Sequence, residues 1–331
     1  MAKKVGAKKA ARAIAKKANG KKAASAVDVV NEADVSKALH EATIGVRFRR
    51  KVFGVEKKLD GDQTAVMADA FDASDKAVKG KKVLLDTKRP EYKRVTGRVL
   101  AAMALWREMT IPFDDPGVRL LKREKVEAFE KAMEAIGADL AEALEKLDAV
   151  YGEAIEQAKE RLGDLFDASD YPKSIKDRFG FTWDYPSVDP PALLKKISPA
   201  IYEQQQKLVA SKFASAVVEA QQMLAAELQK MLNGWIKKLT PVDGKKSVIR
   251  KDSLESFNSL LERIKDLSPT LAGPLGDAVK KAEKLAQGID VESLKNKSSV
   301  AAEALKEGLE SLKASVDKLV VEADDRAIVL E

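Results

Sequence analysis

The sequence predicts a mainly α protein: a long antiparallel helical hairpin, coiled-coil-like, with shorter packed helices and a small irregular or β crossover. Three observations carry that expectation. The 331 residues are 45% hydrophobic and 34% charged but only 5% aromatic, and Ala, Leu, Lys and Glu dominate, as in long helices. Val126, Phe129, Met133, Ile136, Leu140, Ala143, Leu147, Val150 and Ala154 alternate spacings of three and four, an unbroken heptad seam. Ser198-Pro199 then opens a second run in which Phe213, Val217, Leu224, Leu228, Met231, Trp235 and Leu239 share one face before Pro241, with Pro at the favoured first helical position. At 1.5 Å per residue the two helices, 122–166 and one of about 41 residues from Pro199 to before Pro241, would span roughly 66 and 62 Å. Matched lengths in succession argue for antiparallel pairing.

Taken in order, residues 1–26 read as a disordered basic tail. The first 22 hold Lys3, Lys4, Lys8, Lys9, Arg12, Lys16, Lys17, Lys21 and Lys22 and no acid. The remaining residues carry 50 basic and 52 acidic side chains, so the whole +7 charge comes from this segment. Wound as a helix, it would scatter its charges around the axis and leave no segregated apolar stripe, which a membrane-surface helix requires. A mitochondrial transit peptide would be Arg-rich and amphipathic. Two readings remain: a solubilising tail, and an electrostatic arm lying on a phosphate backbone with no sequence preference. The AKKA and GKKA units resemble the Lys-Ala tails of bacterial histone-like proteins.

Residues 27–121 read as a helical region with one short strand. Asp34 can cap a helix from Val35, and Ile44, Val46 and Phe48 alternate with Gly45 and Arg47 as a strand would. Asp60-Gly61 reads as a turn, and 64–79 as a modest helix. Arg89-Pro90 opens a helix to Met109 with Val95, Val99, Met103 and Trp106 inward. IPFDDPGVRLL (111–121) reads as a break.

Residues 122–240 make the hairpin. Its first helix continues past Ala154 by a four-residue step to Ala158, Leu162 and Leu165, a stutter. The connection, 167–197, contains FGFTWDYPSVDPP, and six of the chain's 18 aromatics fall between Phe166 and Tyr185. Phe179, Phe181, Trp183 and Tyr185 are spaced by two and face one way if extended. A packed crossover explains them. A base-stacking platform would want interleaved Lys or Arg, where Asp184 and Asp189 stand instead, so Trp183 is read as structural. Residues 241–331 form a C-terminal helical region after a break at 242–253. Asp252 with Glu255 suggests a capping box, followed by helices at 253–267, 270–287 and 298–322, the last with Leu305, Leu309, Leu312, Val316 and Leu319 inward.

Chemistry is sparse. The chain has no Cys and one His, His40, so disulfides, thiolate sites and two-His metal sites are excluded. His40 reads as a surface residue of a short helix. GKKS at 244–247 is not a P-loop, because Leu239 stands where the pattern needs Gly. Asp164, Asp167 and Asp170, spaced by three, have the oxygen chemistry of a hard-cation site but also that of a helix end. LDGD at 59–62 lacks the other ligands of a calcium loop. Neither G-x-S-x-G nor a dinucleotide fingerprint occurs. The expectation is a non-enzyme with no cofactor and no metal. No apolar run reaches about 18 residues and no secretory h-region is present, so a membrane partner is not expected and a cytoplasmic location is.

WREMTIPFDDPGVRLLKREKVEAF and RLGDLFDASDYPKSIKDRFGFTWDYPSVDPPALLKKISPAIYEQ resemble an uncharacterised family of helical bacterial and bacteriophage proteins. That family carries a similar W-x(3)-T-x-P-x(3)-P-G-x-R-L segment, here Trp106 to Leu120, and a similar DYP…PSV-x-PP crossover. The resemblance covers roughly residues 85–330. It implies a largely helical fold and an origin in a bacterial or phage-infected cell, with the nucleoid as one location, and it carries over no catalytic residues. The function expected is a non-enzymatic nucleic-acid-associated protein holding the phosphate backbone through the nine basic residues of the tail. The alternative is a structural or assembly protein, a phage or scaffold component, forming a homo-oligomer through its helical seams.

Overall fold

The computed structural model describes residues 32–113, 117–240, 250–289 and 300–324. The mainly α expectation is met: ten α-helices and six short strands lie among the described residues. They divide into two compact units. One comprises Thr43–Ile111 and Asp115–Val188; the other is built from the described residues up to Ala42 and from Asp189 onward, with Pro112–Asp114.

In the first unit, β1 (Thr43–Lys51) is longer than its alternation suggested. β2 (Glu56–Lys58) pairs antiparallel with β3 (Lys81–Val83). Between them α2 (Gly61–Asp69) replaces the expected turn and 64–79 helix. Asp60 is its N-cap: the Asp60 carboxylate accepts from the Gln63 N–H at 2.8 Å, and the Gln63 side chain accepts from the Asp60 N–H. These reciprocal bonds satisfy two donors that a helix start leaves open.

α3 (Pro90–Met109) has Pro at its start and buries Tyr92, Val95, Val99, Ala102 and Trp106. α4 (Val126–Ala149) buries Phe129, Met133, Leu140, Ala143 and Leu147 of the heptad seam. The helix expected over 122–166 is interrupted at Val150, whose φ −104° and ψ 4° leave the helical region, and α5 (Tyr151–Leu162) follows. The seam is filled within this unit. Tyr92, Val95 and Val99 share a cluster with Leu140, Ala143, Leu147, Tyr151 and Ala154, while Ala102 and Trp106 share one with Phe129 and Met133. Early α3 therefore meets late α4, and the two form an antiparallel pair. The Arg98–Asp139 ion pair at 3.2 Å fits that direction.

The break at 111–121 is a pair of strands, β4 (Thr110–Pro112) and β5 (Val118–Lys122), and the crossover holds β6 (Gly180–Asp184). Together with β1 they make a sheet of order β4-β5-β1-β6. β1 runs antiparallel to β5, with Ile44 opposite Leu121, and to β6, with Phe48 opposite Trp183. One face, with Val46 and Leu121, lies on Trp106, Phe129 and Met133. Gly45 has no room for a side chain: a Cβ there would stand 2.9 Å from the Pro186 carbonyl oxygen and from Val188 Cγ1.

In the second unit, α1 (Glu32–Ala42) and α6 (Ala192–Ile197) pack on α7 (Pro199–Leu239). α8 (Lys251–Leu267), α9 (Pro274–Gln287) and α10 (Val300–Asp324) complete it. The main neighbour of α7 is α10, joined by a Gln229–Asp317 hydrogen bond at 2.8 Å. The pairing of the two long helices as one hairpin is thus not confirmed, for each has its chief partner inside its own unit. α7 keeps its foreseen bounds. Its buried face takes Ala216, Ala220, Leu224, Leu228 and Leu232, with Val217 and Met231 half-buried. The capping box foreseen at Asp252 is not formed; Arg250 precedes α8 without a side-chain cap bond.

Candidate nucleic-acid interface

Lys3, Lys4, Lys8, Lys9, Arg12, Lys16, Lys17, Lys21 and Lys22 lie outside the described residues. Within them, the aromatic crossover is the first surface to weigh. Phe179 is buried and meets Tyr92 edge-on, with ring centroids 5.8 Å apart. Phe181 stacks on Phe48 and on Trp183, at 5.9 and 6.0 Å, and Trp183 meets Phe129 edge-on at 6.4 Å. The Trp183 indole N–H donates to Glu130 at 2.6 Å, and the Tyr185 hydroxyl donates to the same carboxylate oxygen. Burial and that hydrogen bond together push the Tyr185 phenol above its ordinary range. Only Tyr185 of the four is exposed. A carboxylate holding two of the rings repels phosphate, and the rings stack on one another. This strand edge is built for packing, as the sequence suggested.

Trp183 is half-buried rather than enclosed. Trp183→Ala is therefore expected to destabilise by about 2–3 kcal/mol, below the ~3–5 kcal/mol of a fully buried Trp. Binding of single-stranded oligonucleotide should be unchanged in the folded fraction. Thermal melting and fluorescence titration read the two effects separately; a stable variant with weakened single-strand binding would contradict this assignment.

The Trp106–Leu120 motif has one physical explanation. The Arg119 guanidinium lies over the Trp106 ring, 5.6 Å from its centroid. It donates through Nε to the Thr110 hydroxyl and through Nη2 to the Thr110 carbonyl, both at 2.7 Å. The Thr110 hydroxyl donates in turn to the Trp106 carbonyl. Trp106, Thr110 and Arg119 thus clamp the end of α3 to β5, and Gly117 supplies the positive φ of +82° between the strands. The motif builds structure here.

His40 is not a lone surface residue. Its Nε2 lies 2.7 Å from Asp189 Oδ1, its ring 4.4 Å from that of Phe213, and it borders a pocket of ≈ 550 Å³ with Ser36, Lys37 and Ser211. The Ser36 hydroxyl donates to the Ala210 carbonyl.

The Asp164–Asp167–Asp170 series does not gather a cation. The Asp167 carboxylate accepts from the Ser169 N–H at 2.8 Å. The Asp170 side chain, fully buried, takes Lys57 and, at 2.8 Å, Lys82. Burial alone would raise the Asp170 carboxyl, but the hydrogen bonds from Lys57 and Lys82 hold it below the ordinary carboxylate range. Among the described residues no group of three or more His, Asp or Glu side chains is placed to hold a metal, and no helix is long and apolar enough to cross a membrane. No family model, no curated protein and no solved structure matches the chain.

Proposed function

We propose that the protein is a non-enzymatic, nucleic-acid-associated protein that holds the phosphate backbone without sequence preference through Lys3, Lys4, Lys8, Lys9, Arg12, Lys16, Lys17, Lys21 and Lys22. The observation that carries this reading is charge distribution: nine cations and no acid in 22 residues, against a net −2 for the rest. Cations at that density release condensed counterions from nucleic acid, a gain independent of base sequence. The bacterial or phage-infected cell implied by the motif resemblance supplies such a polymer. The test is the full-length chain with all nine replaced by Gln, beside a chain lacking residues 1–22. Both are expected to lose low-salt binding to DNA and RNA of arbitrary sequence. Undiminished binding by both, or no binding by the parent chain, would end the proposal.

A second reading, self-association as a structural or assembly protein, is favoured by a different surface from the one the heptads suggested. The Val126–Ala154 seam is filled by α3. Leu193 and Ile197 on α6 are 63% and 71% exposed, and Ile201 and Leu208 on α7 are each 48% exposed. Residues seven apart share a helix face, and α7 buries nothing between Pro199 and Lys212. A second copy would cover this apolar row isologously. Light scattering at micromolar concentration should then show an oligomer that Ile201→Lys with Leu208→Lys dissociates; a monomeric parent chain would dismiss it.

A further inference from the structure

The C-terminal end of β1 reads RFRRK, and Arg49, Arg50 and Lys51 are all exposed. β6 lies antiparallel beside it with Gly180 opposite Lys51. Arg178, two residues before Gly180, is brought to the same end of the sheet by the 3-10 turn Lys176–Arg178. There Lys51, Lys173 and Arg178 line a pocket of ≈ 260 Å³ with Pro172, Ser174 and Asp177. Neighbouring cations already have partners: Arg49 pairs with Asp184 at 2.9 Å, and Lys176 with Glu145 at 2.6 Å and Asp148 at 3.6 Å. The Ser174 hydroxyl donates to Asp148 and accepts from the Lys176 N–H. Among the described residues no ion pair engages Lys51, Lys173 or Arg178. Three cations thus converge on one opening against a single carboxylate, Asp177.

That balance selects an anion. The volume lies below the ~300 Å³ at which drug-sized ligands begin to be enclosed, so the pocket suits one charged group and not a whole apolar molecule. Arg178 offers a planar donor fork, and the two lysines offer mobile ammonium donors, the pairing that favours phosphate oxygens. We propose that the pocket between the end of β1 and the 172–178 turn binds a phosphate group, and that the group is a phosphodiester of nucleic acid. The identity of the ligand rests on the backbone-binding reading above; the site itself rests on the charges of its own unit. It gives the folded body one fixed phosphate contact in addition to those of residues 3–22.

The test uses four full-length proteins: the parent chain, the nine-Gln variant, Lys51→Gln/Lys173→Gln/Arg178→Gln, and a control with the same charge change at Lys58, Lys131 and Lys159, all exposed and in the same unit. Each is titrated with a labelled single-stranded oligonucleotide over a salt series and with inorganic phosphate followed by NMR; melting curves check folding. The pocket variant should bind oligonucleotide about 5- to 20-fold more weakly than the control, and its salt slope should be lower by about 1. If the nine-Gln variant binds as the parent does while the pocket variant does not, the site stands and the role of residues 3–22 falls. Phosphate-induced shifts that the pocket substitutions remove, without oligonucleotide binding by the parent, would assign the pocket to a free phosphate and overturn the phosphodiester. Equal losses in pocket and control variants, or none in either, would overturn the site and leave the reading built on residues 3–22 intact.

Discussion

Replacing Asp170 by Ala is expected to lower the stability of the sheet-containing unit by about 3–5 kcal/mol, the cost of leaving a buried charge without its partner. Lys82 is the charge concerned. Its side chain is 4% exposed, and besides Asp170 it donates only to the Leu165 carbonyl, at 2.8 Å, among the described residues. Water cannot replace the carboxylate without opening the contact between β3 and the 163–170 turns. For a unit of this size the loss corresponds to a melting temperature lower by on the order of 10 °C. The same pair gives a pH dependence of definite sign. Asp170 is held below the ordinary carboxylate range when folded, so its contribution is complete above about pH 4, the range of an unfolded carboxylate, and is lost as pH falls through the lower folded value. The parent chain should lose stability steeply on acidification, and Asp170→Asn should flatten that slope. A variant melting within about 2 °C of the parent would show that Lys82 finds another partner.

Trp235→Ala is expected to cost the helical unit a similar ~3–5 kcal/mol. The Trp235 side chain is 2% exposed, and its ring lies 5.2 Å from that of Phe257 on α8. Truncation leaves a cavity where α7 and α8 meet, in place of the contact with Phe257. Ile201→Ala on the same helix should change stability by less than about 0.5 kcal/mol, because Ile201 stands in the unburied first third of α7. Far-UV circular dichroism during thermal melting compares the two. Equal effects would contradict the division of α7 into an exposed and a buried part.

What could be read from the residues, and what could not, follows from the range of the interactions. α7 was legible because Ser198-Pro199 starts it, Pro241 stops it and its period is local. The seam of α4 was legible as a face, but a face does not name the helix that fills it. Tyr92, Val95 and Val99 of α3 were available nearer in sequence than α7 was, and the heptads are silent on that choice. β4 escaped because it has only three residues, and β6 was legible only as an irregular or β crossover because its pairing with β1 joins segments far apart. Gly45 shows the difficulty: its need for Gly arises from Pro186 and Val188. The basic residues of the first 22 positions were evident from composition alone. The pocket at Lys51 was not, since Lys173 and Arg178 reach it only through the β1–β6 register. Asp170 could be read as a cation ligand or as a helix-end residue because its spacing was visible and Lys57 and Lys82 were not.

The salt dependence of binding to duplex DNA of arbitrary sequence tests the central claim most directly. Each phosphate neutralised contributes about −0.9 to the slope of log K against log salt. With the nine basic residues of the first 22 positions engaged and one phosphate held at the pocket, the full-length chain should show a slope on the order of −8 to −9, and the nine-Gln variant one of about −1. A parent slope near zero, or a slope that the nine substitutions leave unchanged, would contradict the account.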